Sequence, residues 1–161
     1  MTKIYRINIP VLEANLDVYI GDKMDAKDKI IKKYNVSLDV DRIERALAYT
    51  TELASRTESI YIIILDKDIG LDMNTIYHEA LHVTNWLLDF FGIIVETNNH
   101  EIQCYYQSYI AKRIIECVTK YNLTYGKKTS KSKKCKTITS GRINKDTSHK
   151  AKGEVSRHSR R

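Results

Sequence analysis

In KIYRINIPV (residues 3–11), Tyr5, Ile7 and Ile9 alternate with Ile4, Arg6 and Asn8. That period of two describes a strand with one apolar face, and Pro10 ends it. LDVYIG (16–21) reads as a second short strand, closed by Gly21 and Asp22. In DAKDKIIKKYN (25–35) the period changes: Ile30, Ile31 and Tyr34 make the apolar stripe of a helix that Asp25 can cap. DRIERALAYTTEL (41–53) is divided, its first half fitting a helix and LAYTTEL carrying the Thr and Tyr content of a strand. SIYIIILDKD (59–68) is β-branched and apolar on both faces, as a buried central strand is, and ASRTE before it serves as a connecting loop.

After Gly70 the pattern becomes helical. DMNTIYHEALHVTNWLLDFFG (72–92) predicts a long helix, capped by Asp72 or Asn74 and stopped by Gly92. IIVETNN connects it to a second helix over 100–122, with Ile102, Tyr106, Ile110, Ile114 and Val118 spaced by four. The expected class is therefore α+β. A small mixed sheet of three to four strands packs on two or three helices, and the motif helix is followed by a second long helix.

Charge divides the chain. Residues 1–126 hold 14 Lys and Arg against 18 Asp and Glu, a net of −4; residues 127–161 hold 13 against 2, a net of +11. The expectation is one slightly acidic domain over 1–126 and a basic tail over 127–161, disordered when alone. The tail can neutralise nucleic-acid phosphates without reading sequence, meet an acidic protein surface, or serve solubility. No apolar run approaches the ~20 residues that a bilayer requires, so no membrane partner is expected. The N-terminus lacks the apolar core of a signal peptide. Cys104, Cys117 and Cys135 are an odd set without a close pair, which suits a reducing cytoplasm.

The chemistry lies in IYHEALHV (76–83). His78 and His82 are four apart, so on a helix they share one face, about one turn (roughly 6 Å) apart. Two imidazoles so placed can converge on one zinc ion. Glu79, rotated away from the pair, can act as general base beside the metal without being a ligand. A purely structural site has no need of it. The competing explanation is two histidines on the flank of a core helix, satisfied by water or backbone.

A catalytic zinc takes a third protein ligand and keeps one position open. Glu101, in the first turn of the next helix, is the leading candidate, with His100 and Glu96 as rivals and Asp89 as a weaker one. A carboxylate favoured by the helix N-terminus is the alternative account of Glu101. Tyr105 or Tyr106 can donate a hydrogen bond to a developing oxyanion, or else pack between the two long helices. Cys104 reads as a ligand or as a small buried hydrophobe. Asn85 and Trp86 read as support and core. His149 and His158 fall in the tail, away from the motif.

HEALHVTNWLLDFFGI followed by NHEIQCYYQSYIAKRI resembles the minimal zincin-type metallopeptidases, and more narrowly is similar to short HExxH proteins of tailed-phage genomes. The resemblance covers about residues 59–119. It implies His78 and His82 as zinc ligands, Glu79 as general base and Glu101 as the glutamate ligand of a gluzincin-like arrangement. The chain departs from that pattern in having no second domain to form a cleft. No histidine follows His82 at the spacing of the longer metzincin motif. The expected function is a zinc-dependent peptidase or amidase acting on a peptide or protein substrate. It would work in the cytoplasm, that of the host if phage-encoded, or in a virion. The alternative is a non-catalytic virion or assembly protein whose tail binds nucleic acid or a protein partner.

Overall fold

The computed structural model describes residues 1–10, 12–54, 59–68 and 70–125. The connection expected before the central strand and the basic tail lie outside these residues. Four strands, β1 (Lys3–Ile9), β2 (Ala14–Gly21), β3 (Ala48–Ala54) and β4 (Ser59–Asp66), form one sheet in the order β1-β2-β4-β3. The β1–β2 and β3–β4 pairs are antiparallel and β2–β4 is parallel, so the sheet is mixed. Four helices accompany it: α1 (Lys23–Tyr34), α2 (Val40–Arg45), α3 (Met73–Phe90) and α4 (Glu101–Tyr125). The class is α+β, as the periodicities predict. Among the described residues no helix is long and apolar enough to cross a membrane.

The helices cover both faces of the sheet. Tyr19, Ile62 and Ile64 point to one side, where Ala26 and Ile30 of α1 and Ile43 of α2 close over them. Leu16, Val18, Tyr61, Ile63 and Leu65 point to the other, against Ile76, Ala80, Val83 and Leu87 of α3 and Ile110 and Ile114 of α4. The doubly apolar run 61–65 is buried throughout, which is what an inner strand between two helical layers requires. The divided segment 41–53 resolves as it reads, α2 first and β3 after.

Local signals set the ends. Asp22, not Asp25, caps α1, its side chain accepting from the backbone N–H of Met24 and Asp25. Asp25 is instead held by the Thr2 backbone N–H at 2.7 Å and Lys29 Nζ at 3.0 Å. Asp72 caps α3, accepting from Thr75 N–H at 3.0 Å. Gly92, at φ +66°, ends it in the left-handed conformation that costs other residues most, with its N–H on the Asp89 carbonyl. Gly70 permits a close approach: a Cβ there would lie 2.8 Å from both Asp66 N and Leu47 O. The chain entering α3 is thereby held against the segment that leads into β3.

On the face of α1 and α2 sits a fully buried carboxylate, Asp17 of β2. Arg6 of β1 grips it in a fork (Nε–Oδ1 2.7 Å, Nη2–Oδ2 3.0 Å), Lys33 of α1 reaches Oδ2 at 2.6 Å, and the Tyr34 hydroxyl donates to the same oxygen. Burial alone would push the Asp17 pKa up, but these hydrogen bonds together outweigh it and hold the group at about 2. The contribution to stability is therefore present above the ordinary carboxylate pKa of about 3.9 and is lost as pH falls towards about 2. Asp17→Ala, which strands Arg6 and Lys33 beside a buried gap, is expected to cost about 3 kcal/mol at neutral pH. Its urea-unfolding free energy should also fall less steeply than that of the wild type as pH drops from about 4 to about 2, Asp25 still contributing there.

Candidate metal centre

Helix α3 forms because its apolar positions recur at 76, 80, 83 and 87, and this stripe faces the sheet. The same 3.6-residue period turns His78 and His82 outward, and both are exposed. Their Nε2 atoms lie 3.1 Å apart and the rings meet edge to face, centroids 4.7 Å apart. Two nitrogens at adjacent corners of a zinc tetrahedron, each bonded at about 2.0–2.1 Å, are separated by about 3.3 Å. The separation of the pair lies close to that value, so the two Nε2 atoms are near enough to share one ion. Trp86, one further turn along, stacks on His82 with ring centroids 5.9 Å apart, which limits how the imidazole can rotate.

Glu79 takes the opposite environment. It is 6% exposed, and Oε2 accepts a hydrogen bond from the hydroxyl of Thr50, itself 8% exposed. Thr50 belongs to β3, an edge strand of the sheet, so the glutamate is tied to an element distant in sequence. A cleft bounded by Ala46, Leu47, Ala48, Asn74, Thr75, His78 and Glu79 opens between β3 and the first half of α3. One wall carries an imidazole and a carboxylate, and the opposite wall is small and apolar.

The remaining candidates are not gathered there. Among the described residues no group of three or more His, Cys, Asp and Glu side chains is placed to hold a metal ion. Helix α4 does return antiparallel to α3, since Gln103 Nε2 donates to Asn85 Oδ1 at 2.7 Å and Gln107 Nε2 to the Tyr77 carbonyl at 3.3 Å. Gln103 therefore faces α3, and Glu101, two residues or about 200° earlier on the helix, faces away. The Glu101 side chain is 90% exposed, its nearest ionic neighbour the ring of His100 at 3.7 Å. It borders a shallow outer depression together with Cys104, Tyr105, Ser108, Tyr109 and Lys112.

His100 is exposed, with Nδ1 2.7 Å from the Thr97 carbonyl oxygen. Glu96 and Asp89 are exposed as well. Cys104 is exposed rather than a buried hydrophobe. Tyr106 is buried in the core beneath α4, where burial raises its phenol pKa, while Tyr105 is exposed on the outer stripe. The buried position of Tyr106 is that of a packing residue between the helices and the sheet. Trp86 is half-buried against the core, and Asn85 is exposed and bonded to Gln103.

Thr50 is the site residue that sequence reasoning missed. Threonine is ordinary in a strand, and nothing in AYTTELA distinguishes Thr50 from Thr51. Only the pairing register separates them: Thr50 lies opposite Ile63, which points to the α3 side, and Thr51 lies opposite Ile62, which points to the α1 side. No protein-family model matches the chain, and neither a curated protein nor a solved structure does.

Proposed function

We propose that the chain is a zinc-dependent hydrolase of the peptidase or amidase type, with His78 and His82 as metal ligands and Glu79 as general base. The observation that carries this reading is the pair of Nε2 atoms 3.1 Å apart, on the helix that also presents Glu79 to the adjoining cleft. Zinc held by His78 and His82 would supply Lewis acidity for attack on a substrate carbonyl. Glu79 would accept a proton from the attacking water and return it to the leaving amine. Its shielded position, with one oxygen already bonded to Thr50, keeps the carboxylate at a fixed angle for that exchange. The small and apolar residues Ala46, Leu47 and Ala48 line the cleft where a peptide segment would pass.

The third ligand in this reading is Glu101, and a gluzincin-like set requires its carboxylate to come from the outer side of α4 to the histidine pair. That displacement favours a second reading, a virion or assembly protein of phage type that does not catalyse, whose basic segment 127–161 contacts nucleic acid or an acidic partner. The net of +11 in that segment supports it.

Metal content and turnover separate the two. Purified wild type should hold one zinc per chain by mass spectrometric metal analysis, and His82→Ala should lose most of it. Glu79→Gln should retain the metal yet lose cleavage of a quenched mixed-peptide library by about a hundredfold or more. Wild type without stoichiometric zinc overturns the metal reading. Retained zinc without any Glu79-dependent cleavage favours the assembly protein.

For the tail, binding to a random-sequence duplex should weaken steeply between 50 and 200 mM salt, by roughly a factor of a thousand where six or more phosphates are neutralised. Deleting 127–161 should remove that dependence. A truncated chain that binds DNA as the full chain does excludes the tail as the contact.

A further inference from the structure

We propose that Thr50 is a positioning residue for Glu79, its hydroxyl fixing one carboxylate oxygen so that the other is presented to the metal face. The inference rests on the metal-site reading above and adds a residue that no motif contains. Three observations meet at this pair. The bond crosses from α3 to an edge strand 29 residues earlier in the chain, and both partners are nearly excluded from solvent. Glu79 also borders the cleft together with His78, so the bonded carboxylate belongs to the residue that lies beside the imidazole. Finally, the bond is specific in register, because Thr51 lies on the opposite face of the same strand.

The comparison with Thr84 shows what a purely satisfied threonine looks like. Thr84 is fully buried on the same helix, and its hydroxyl donates to the carbonyl of Ala80 one turn back at 2.8 Å. Thr50 instead directs its donor to an ionisable group of another element. A carboxylate carries two equivalent oxygens and rotates about its last side-chain bond. Donation by Thr50 to Oε2 removes that freedom, leaving Oε1 as the oxygen that can take a proton. A general base gains from such fixing because the proton transfer tolerates little misalignment.

Acetohydroxamic acid reads this arrangement without any substrate being known. It chelates zinc through its two oxygens, and its O–H proton passes to a neighbouring carboxylate, which then donates back to the bound anion. Affinity for it therefore depends on zinc and on the alignment of Glu79. The full chain is loaded with zinc and titrated calorimetrically.

Wild type is expected to bind, Thr50→Ser to stay within about twofold, and Thr50→Val to weaken by about tenfold with zinc content unchanged. Glu79→Gln should weaken binding at least as much. Adding Thr50→Val to Glu79→Gln should then cost nothing further, since the threonine acts only through the carboxylate. Thr50→Cys, close in size with a weak S–H donor, replaces the valine variant if that one does not fold, and should fall between serine and valine.

Equal affinity in wild type and Thr50→Val overturns the proposal and leaves the metal reading intact. Additive losses in the double variant also overturn it, as they would mark a packing effect. A wild type that takes up no zinc overturns both.

Discussion

Everything in the molecule hangs on the burial of β4 from both sides. Tyr61, Ile63 and Leu65 of this strand face α3 and α4, while Ile62 and Ile64 face α1 and α2. Its neighbours β2 and β3 complete its hydrogen bonding in opposite senses, one parallel and one antiparallel. A one-residue slip of β4 would exchange its two apolar sets and place Tyr61 where Ile62 packs. Because both sets are large and closely covered, that register is fixed, and the rows on either side inherit it. The side of β3 on which Thr50 falls is thus decided by the packing of Ile63.

The candidate site follows as a by-product of two periods meeting. The strand period of two sets Thr50 towards α3. The helical period then sends Ala80 and Ile76 into the core, Glu79 to the side where β3 runs, and His78 with His82 to the surface. A helix rotated by one residue could not bury the apolar stripe and keep the pair outward. Glu79 can remain out of water because β3 supplies it a donor, which a purely apolar strand there would not. The histidine-bearing and core-facing sides of α3 are therefore not independent designs: the stability of one sets the geometry of the other.

Much of this was legible in the sequence because it is written in period and punctuation. The run 60–65 announces an inner strand, Asp72 and Gly92 bracket α3, and the four-residue spacing of the histidines implies the shared face. The cap of α1 lies three residues before Asp25, since Asp25 and Asp22 are equally good caps along the chain and Asp25 is taken up by the distant Thr2 N–H and by Lys29 one turn along the helix. The Asp17 cluster left no local trace, because Arg6, Asp17 and Lys33 come from three elements and look like ordinary surface charges along the chain. Thr50 was hidden for the same reason. Contacts between elements depend on register and twist, and a single sequence shows periods but not which residues of two periods meet.

The position of Glu101 is constrained by the same logic. Helix α4 cannot bring it to the histidines by rolling about its axis. Such a roll would have to turn it by nearly half a turn, and Tyr106, Ile110, Ile114 and Tyr121 would leave the core together. Each large apolar side chain so exposed costs about 1.5–3 kcal/mol, so the sum exceeds what a metal ligand returns. The first turn is a different matter. Glu101 precedes Tyr106, the first buried residue of the helix, by five positions, and Ile102 is only half-buried. The bonds that hold this turn are exposed ones, among them Ile102 N–H to the Asn99 carbonyl and Cys104 N–H to the His100 carbonyl, each at 3.1 Å, and Gln103 Nε2 to Asn85 Oδ1 at 2.7 Å. Unwinding that turn sacrifices several exposed hydrogen bonds, worth about 0.5–1.5 kcal/mol each, but no core contact of α4 beyond Ile102. A third ligand from α4 must therefore come by local rearrangement of residues 96–103, with the rest of the helix staying where the sheet holds it.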